Sequence, residues 1–384
     1  MEKIAIFYVI LILVIQGNVF GGNHLKSPSQ YYLFVGAYTQ NENEGIYVFK
    51  FDASAGDLEY ITTVKGVKNP SYLALNRKKN LLIAVNETGE FQGEKTGSVS
   101  SFRINSQTGN LHMISQVSSG GGSPCYVSMN KSANMAFVAN YSGGNISTFL
   151  IQPDGKLNGP VDLQQHAGSG PVVNRQKSPH AHAIVLNPKE THVMASDLGI
   201  DKIISYEINK KSGVLMQVNE FVATAGAGPR HLTFHPKKAF AFIINELNST
   251  ITSCSYTLNN AGLTEVMTVS SLPSDFQGDN SCADIHVSPD GAFLYGSNRG
   301  HDSIVIYKIN QNSGKLEYVD HQNVKGETPR NFMIDPTGKF LLVANQNTNN
   351  IVVFKIDQEN GKLKSNGVEV EVSKPVCLKM IAIE

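Results

Sequence analysis

The amino-acid sequence predicts an all-β fold, a seven-bladed β-propeller with four antiparallel strands in each blade. Three observations lead to this fold class. A short amide or acid recurs ten positions after each of six strand-end anchors. Seven further strand-like segments start 47 to 57 residues apart, and each is followed by a glycine turn and a leucine. The two ends of the chain supply the two strands that the seventh repeat lacks.

The first two strands of each repeat are short apolar runs joined by a tight turn, as in residues 72–75 and 81–85. Such runs are typical of fully buried strands. The anchors that follow the inner strands are Asn76, Asn130, Asn187, His235, Ser288 and Asp335. The residues ten positions later are Asn86, Asn140, Asp197, Asn245, Asn298 and Asn345.

The third strand of each repeat alternates more between apolar and polar residues, as expected nearer solvent. The fourth strand begins at the leucine after each glycine turn: Leu58, Leu111, Leu157, Leu215, Leu263, Leu316 and Leu363. Only six inner and second pairs are complete. Residues 32–36 resemble a second strand without its inner partner, and residues 376–382 an inner strand without a successor. Pairing them closes the ring and removes exposed strand edges; an open solenoid with ragged ends is the alternative.

Composition excludes several classes of function. Lysine plus arginine and aspartate plus glutamate both total 32, so the chain lacks the basic excess of a nucleic-acid-binding protein. It has no tryptophan, which excludes tryptophan platforms for sugar stacking. The four cysteines, Cys125, Cys254, Cys282 and Cys377, have no metal-binding spacing. They are expected to be free and mostly buried.

Residues 1–21 are expected to be a cleaved secretory signal peptide. Lys3 precedes an apolar run over residues 4–15, and small residues follow near residue 21. The run is too short to span a bilayer; an uncleaved N-terminal anchor is the alternative. We therefore expect an exported protein, periplasmic or secreted, with one propeller domain over residues 31–384 and no membrane insertion. Without cleavage, we expect it in the cytoplasm.

Polar side chains gather at one mouth of the predicted central channel, because the inner strand starts where the antiparallel second strand ends. Five residues before each anchor stand Ser71, Cys125, His182, Arg230, Ala283 and Arg330, with Val376 in the closing blade. Directly after the second strands stand Glu87, Tyr141, Leu198, Glu246, Arg299 and Gln346. A charge-mixed pocket on a rigid scaffold indicates an active site.

Each of these residues also has a purely structural interpretation. The recurring amides and acids cap turns more often than they bind ligands. His180 or His182 alone fits a hydrogen-bonded structural histidine, and Glu246 with Arg230 fits a plain ion pair. Arg330 fits a tie between blades. Cys125 faces the channel but lacks an obvious base, which disfavours a nucleophilic role.

Three connections are longer than usual, over residues 88–97, 158–177 and 273–281. The second leads directly into His180 and His182. It is a candidate lid; a mobile surface loop is the alternative.

Four motifs carry a resemblance to a known family. They are Ser-Pro-His-Ala-His at 178–182, Gly-Pro-Arg-His-Leu at 228–232 followed by Asn-Glu-Leu at 245–247, Ser-Asn-Arg-Gly-His-Asp-Ser at 297–303, and Thr-Pro-Arg-Asn-Phe at 328–332. In this order they resemble the seven-bladed β-propeller lactonase family. That family includes bacterial propeller-type 6-phosphogluconolactonases and fungal carboxymuconate-lactonising enzymes. The resemblance covers nearly the whole chain after about Tyr31 and implies a site built from His182, Arg230, Glu246 and Arg299.

Two features depart from the family pattern. Asn331 stands where relatives often place a second histidine after the arginine, which weakens a role at that position but not at Arg330. The signal-like segment also sets the chain apart, because phosphogluconolactone belongs to cytosolic sugar metabolism. An exported enzyme would meet other lactones.

The expected function is hydrolysis of a small-molecule sugar lactone by a monomer without cofactor or metal. His182 is the expected general base, Glu246 orients it or the water, and Arg230 polarises the carbonyl. The expected substrate-binding residues are His180, Arg299, Arg330, Glu87 and Gln346, of which Arg299 and Arg330 hold a carboxylate or phosphate. A carboxymuconate-type lactonising isomerase and a non-catalytic ligand-binding propeller are the alternatives.

Overall fold

The fold is a ring of seven four-stranded antiparallel sheets, seen in a computed structural model that describes residue 2 and residues 29–383. The predicted signal peptide, apart from residue 2, lies outside the described residues. Within residues 29–383 the long regular elements are 28 strands. In chain order these are β1 (Gln30–Ala37), β2 (Gly45–Asp52), β3 (Asp57–Lys65), β4 (Tyr72–Asn76), β5 (Leu81–Asn86), β6 (Ser98–Ile104), β7 (Leu111–Ser118), β8 (Pro124–Met129), β9 (Met135–Asn140), β10 (Asn145–Ile151), β11 (Leu157–Gln165), β12 (Ala181–Leu186), β13 (His192–Asp197), β14 (Lys202–Ile208), β15 (Leu215–Val222), β16 (Pro229–Phe234), β17 (Phe240–Asn245), β18 (Thr250–Thr257), β19 (Gly262–Ser270), β20 (Ser281–Val287), β21 (Phe293–Arg299), β22 (Ser303–Ile309), β23 (Leu316–Asn323), β24 (Pro329–Ile334), β25 (Phe340–Asn345), β26 (Asn350–Ile356), β27 (Leu363–Glu371) and β28 (Pro375–Ala382).

Six sheets follow chain order from the central axis to the rim, starting with β4 to β7 and ending with β24 to β27. The inner strands of neighbouring blades contact one another around the full circle, and β28 meets both β24 and β4. The starts of the inner strands therefore surround one axial opening, as the repeat predicts.

The seventh sheet joins the two ends of the described chain in the order β28, β1, β2, β3. Strand β28 pairs antiparallel with β1 from Tyr31 opposite Ala382 to Gly36 opposite Cys377. The Tyr32 hydroxyl donates to the Gln107 carbonyl in the next blade at 2.6 Å. The predicted closure of the ring is confirmed, and the open solenoid is excluded.

The core lies between adjacent blades. The second strands β5, β9, β13 and β25 are buried along their whole length because a neighbouring sheet covers each face. Outer strands such as β7 alternate between buried and exposed side chains. Phe51 and Phe340 meet edge to face between two blades, with ring centroids 5.8 Å apart. Burying such a side chain stabilises the fold by roughly 1.5–3 kcal/mol.

The recurring amides at the ends of the second strands tie this core to the connections above it. The side-chain amides of Asn86, Asn140, Asn298 and Asn345 each donate to a backbone carbonyl in the preceding connection, at 2.8 to 3.2 Å. Buried amides need such partners. Their role here is structural, in agreement with the turn-capping interpretation.

Two further sequence expectations meet the structure. All four cysteines are free and buried, as predicted. The long connection predicted over residues 158–177 is shorter than expected, because residues up to Gln165 form strand β11. Apolar and polar residues alternate only weakly in that strand, and Gly159 and Pro160 interrupt the pattern, so the sequence resembled a loop.

In the described part of the chain, no helix has the length and apolar character needed to cross a membrane.

Candidate active site

Bulges at the mouth of the channel aim the inner-strand side chains. In six blades the pairing of inner and second strand shifts register at the first positions of the inner strand. A bulge leaves a residue outside the ladder and redirects its side chain. The residues so displaced are Cys125, His182, Arg230, Arg330 and Val376, with Ala283 and Asp284 sharing the sixth bulge. The predicted first ring therefore coincides with the bulges.

A recurrent residue pair precedes four of these bulges. Proline stands directly before Cys125, Arg230, Arg330 and Val376, and the residue before each proline has a positive φ: Ser123, Gly228, Thr328 and Lys374. The same pair, Asn69 and Pro70, precedes Ser71 in the blade whose inner strand shows no register shift. Proline fixes its own φ and supplies no backbone donor, so it constrains the backbone directly before the displaced residue. At Gly228, with φ of 62°, an added Cβ would lie 2.5 Å from the Leu247 side chain. This close approach requires glycine.

The predicted acid Glu246 lies in a cluster of three arginines. Its Oε2 accepts from Arg230 Nε and lies near Arg299 Nη2, both at 2.9 Å, and its Oε1 accepts from Arg175 Nη2 at 2.5 Å. Arg230 is 2% exposed, and its Nη1 donates to the Ala283 carbonyl at 2.6 Å. The cluster fixes the direction of the Arg230 guanidinium.

Charge states in this cluster follow from its geometry. Burial raises the pKa of Glu246, but Arg299, Arg230 and Arg175 outweigh burial and bring the pKa to about 2. Burial lowers the pKa of Arg299 to about 10, with Glu246 acting against it. At neutral pH the carboxylate is ionised and Arg299 remains charged.

His182 is buried beside the arginines. Its ring meets those of Tyr141 and His231 edge on, both with centroids 5.4 Å apart, and its Nδ1 lies 3.8 Å from the Cys125 sulfur. Burial, followed by the charge of Arg230, lowers the pKa of His182 well below 6.5. The imidazole is therefore neutral at neutral pH. Burial also raises the pKa of Cys125, so its thiol stays protonated.

Of the two expected roles of Glu246, to orient His182 or the water, the first is not supported by a direct contact between the two side chains. The carboxylate faces its three arginines, and His182 contacts Tyr141, His231 and Cys125 instead. Contacts through two residues link the two side chains: Arg230 pairs with Glu246 and lies 3.2 Å from His231, whose ring meets that of His182.

His180 lies nearer the solvent than His182. Its ring stacks on Tyr141 with centroids 4.5 Å apart, and its Nδ1 lies 3.0 Å from the Tyr141 carbonyl oxygen. Its backbone N–H donates to Asp197 Oδ1 at 2.7 Å. The Tyr141 ring thus separates the two histidines.

Arg330 belongs to a second polar group across the channel. Its Nη2 donates to the Tyr38 hydroxyl at 2.8 Å, and that hydroxyl donates to Glu87 Oε2 at 2.9 Å. Burial opposes the charge of Arg330, but Tyr38 and Glu87 raise its pKa overall. Gln346 is half-buried, and its Oε1 has no hydrogen-bond partner within residues 29–383.

A second layer lies one residue further along the inner strands, and the sequence did not predict site roles for His231 and Asp284 in it. These two residues form a hydrogen-bonded group with Asn331. His231 Nδ1 lies 2.8 Å from Asp284 Oδ1, and Asn331 Nδ2 donates to Asp284 Oδ2. His231 Nε2 lies 3.2 Å from Arg230 Nη1. Burial and Arg230 lower the pKa of His231 to about 4, so it is neutral and accepts from the arginine.

These groups enclose a small pocket. Its lining includes Ser71, Glu87, Cys125, Arg230, His231 and Arg330. A larger hollow of about 630 Å³ lies beside the connection between β1 and β2 and the end of β3, lined by residues within 39–44 and 65–68, but it lacks buried charged side chains. Across the described residues, no group of three or more histidine, cysteine, aspartate or glutamate side chains is arranged to hold a metal ion. Among the lining residues, Arg230 and Arg330 supply positive charge and His231 supplies a neutral imidazole.

Known proteins share this architecture. Residues 32–380 match the family described as "Lactonase, 7-bladed beta-propeller". The chain is 36% identical to the 6-phosphogluconolactonase of Bacillus subtilis (strain 168), over 80% of this chain and 86% of the relative. It is 35% identical to the 6-phosphogluconolactonase of Formosa agariphila, over 79% and 86%. The structure of Pseudomonas aeruginosa periplasmic gluconolactonase matches with a TM-score of 0.87 at 33% identity, covering 93% of this chain and 100% of that one. The chain therefore belongs to the seven-bladed β-propeller lactonase family and is a lactone-hydrolysing enzyme.

Proposed function

We propose that this enzyme hydrolyses 6-phosphogluconolactone or a related aldonolactone to the open acid, with the reaction at the mouth of the channel. The observation that carries the proposal is the Arg230 guanidinium fixed by Glu246 and His231, with the His182 ring edge-on to that of His231. The names of the relatives support the substrate class. The excess of positive charge in the pocket supports an anionic transition state.

Arg230 polarises the lactone carbonyl in this proposal. Its Nε and Nη1 bond to Glu246, Ala283 and His231, and Nη2 is the group that donates to the carbonyl oxygen. The negative charge that develops on this oxygen is stabilised by a donor already in position. Glu246 and His231 therefore act as positioning residues for Arg230.

His182 takes the proton of the attacking water. The water oxygen bonds to the carbonyl carbon while an unprotonated ring nitrogen of His182 accepts the proton. The tetrahedral intermediate then collapses, the ring C–O bond breaks, and the imidazolium returns the proton to the departing hydroxyl. A buried imidazole with a low pKa is a weak base but an efficient donor in the second step.

The remaining polar groups bind the substrate. Arg330, held by Tyr38 and Glu87, contributes positive charge on the far side of the pocket. Arg299 contributes charge beside Glu246. His180 and Gln346 border the mouth, where the unpaired Gln346 Oε1 accepts a hydrogen bond from a sugar hydroxyl.

A substrate panel tests this function. The full chain without residues 1–21 is assayed with glucono-δ-lactone, 6-phosphogluconolactone and carboxymuconate, each corrected for spontaneous reaction. We expect hydrolysis of one or both sugar lactones and no change in the muconate. Turnover of the muconate alone would establish the lactonising isomerase. No turnover of any of the three, with the fold intact by circular dichroism, would favour the binding propeller.

A further inference from the structure

A fourth arginine reaches the site from outside the propeller core. Arg175 lies in the connection between β11 and β12, and its Nη2 donates to Glu246 Oε1 at 2.5 Å and to the Tyr141 hydroxyl at 3.4 Å. Its side chain is 40% exposed, against 2% for Arg230 and 13% for Arg299. Arg175 therefore lies beside Glu246 at the mouth, with part of its guanidinium open to solvent and to a substrate that enters.

The connection that carries Arg175 is fixed by the next residue. Gln176 is fully buried, and its Nε2 donates to the Leu198 carbonyl and to Asp201 Oδ1, both at 2.8 Å. Asp201 also accepts from the backbone N–H groups of Gly226 and Gly228, which lie four and two residues before Arg230. The anchor of Arg175 and the turn that sets up the Arg230 bulge therefore share one carboxylate.

The charged side chains around the mouth carry a net positive charge. Four arginines, Arg175, Arg230, Arg299 and Arg330, face two carboxylates, Glu246 and Glu87. Arg175 has the most exposed side chain among the arginines on Glu246. A guanidinium is well suited to bidentate recognition of a phosphate or carboxylate. A substrate anion at the mouth would make use of the surplus charge.

We propose that Arg175 is the specificity-determining residue for an anionic group, phosphate or carboxylate, that the lactone carries away from its reacting carbonyl. Glu246 and Tyr141 hold the guanidinium in place, and the solvent-facing edge binds the anion. The proposal rests on the proposed lactonase function and narrows its substrate class. In this proposal the connection between β11 and β12 holds the Arg175 guanidinium in a fixed position at the mouth of the channel.

The test compares three variants on two substrates. Arg175→Gln removes the charge and keeps donors, Arg175→Lys keeps the charge without the fork, and Lys177→Gln removes a neighbouring exposed charge from the same connection. Steady-state kinetics are measured with 6-phosphogluconolactone and neutral glucono-δ-lactone. A further arm with glucaro-1,4-lactone, which carries a free carboxylate away from its lactone carbonyl, distinguishes carboxylate from phosphate. Binding of inorganic phosphate is followed by calorimetry, because it needs no turnover.

We expect Arg175→Gln to raise KM for the anionic lactone about tenfold or more, the scale of a lost charge-assisted hydrogen bond. We expect less than about threefold change in KM with the neutral lactone, partial recovery in Arg175→Lys and wild-type behaviour in Lys177→Gln. Phosphate affinity should fall in parallel in Arg175→Gln. An equal loss on both lactones would overturn the proposal and make Arg175 a positioning residue of Glu246. Unchanged kinetics and phosphate affinity would also overturn it. If no lactone is hydrolysed but phosphate binding depends on Arg175, the anion site stands and the lactonase proposal fails.

Discussion

Arg230 and Glu246 are joined by an ion pair of 2.9 Å between Nε and Oε2, within one blade and sixteen positions apart in the chain. Arg230 occupies the bulge at the start of β16, and Glu246 directly follows β17. The bulge frees the arginine from the ladder, and the carboxylate fixes its orientation. Backbone irregularity and charge pairing together produce a rigid donor at the mouth of the channel.

Arg230→Lys is expected to lower kcat by about 10²–10³-fold, the usual cost of removing a preorganised oxyanion donor. A lysine ammonium cannot contact Glu246, the Ala283 carbonyl and the substrate in the same fixed fork. Initial rates with 6-phosphogluconolactone measure the effect, and thermal unfolding of the variant serves as the folding control. A folded variant with wild-type kcat would exclude Arg230 as the carbonyl donor.

The pH profile reports on His182, whose pKa lies well below 6.5 because of burial and the nearby arginines. The neutral form is the base, so activity is present above this lowered pKa and is lost only as the pH falls through it. We expect kcat/KM to stay flat between about pH 6.5 and 7.5. His182→Asn should lower kcat by about 10²–10⁴-fold and remove the acidic limb. The assignment would be contradicted if kcat/KM fell with decreasing pH around an ordinary histidine pKa and if this fall persisted in His182→Asn.

Glu246→Gln is expected to make folding stability less dependent on pH. The folded-state pKa of about 2 lies below the ordinary 4.5. The ionised carboxylate therefore contributes stability above about pH 4.5 that is lost as the pH falls toward 2. This linkage is worth on the order of 3 kcal/mol. Urea unfolding at pH 7 and pH 3 should show that the wild type loses more than half of its advantage over Glu246→Gln at pH 3. An advantage that is the same at both pH values would argue against the depressed pKa.

Asp284→Ala is expected to destabilise the fold by about 3–5 kcal/mol, because it leaves several buried polar groups unpaired. The carboxylate bonds to His231, His286 and Asn331 from three blades. Denaturant unfolding measures the loss, with the exposed Asp57→Ala as a matched control that stays near wild type. A loss no larger than that of the control would show that the network is not structural.

Much of the site could be predicted because the repeat fixes positions as well as strands. The offset of five from each anchor placed His182, Arg230 and Arg330 in one ring, and the bulges show why that offset is distinctive. His231 and Asp284 stand four residues before the anchors His235 and Ser288, one residue after the ring positions. In a regular strand neighbouring residues face opposite sides, so a bulge is needed to bring Arg230 and His231 to one pocket.

Other contributors have no periodic signal. Arg175 comes from an irregular connection, and Tyr38 from the turn after β1, so no repeat position marks either one. The expectation that Glu246 orients His182 or the water followed from its position at the predicted mouth and from the family resemblance. The structure pairs it with arginines because three guanidinium groups neutralise a buried carboxylate better than a neutral imidazole does.

The central claim is that the lactone reacts at the bulged inner-strand residues. A crystal structure with bound 6-phosphogluconate, the product of the proposed reaction, tests it most directly. We expect the new carboxylate of the acid within hydrogen-bond distance of Arg230 and beside His182, with the phosphate toward Arg175. Product bound instead in the hollow lined by residues 39–44 and 65–68, with the channel mouth empty, would contradict the claim.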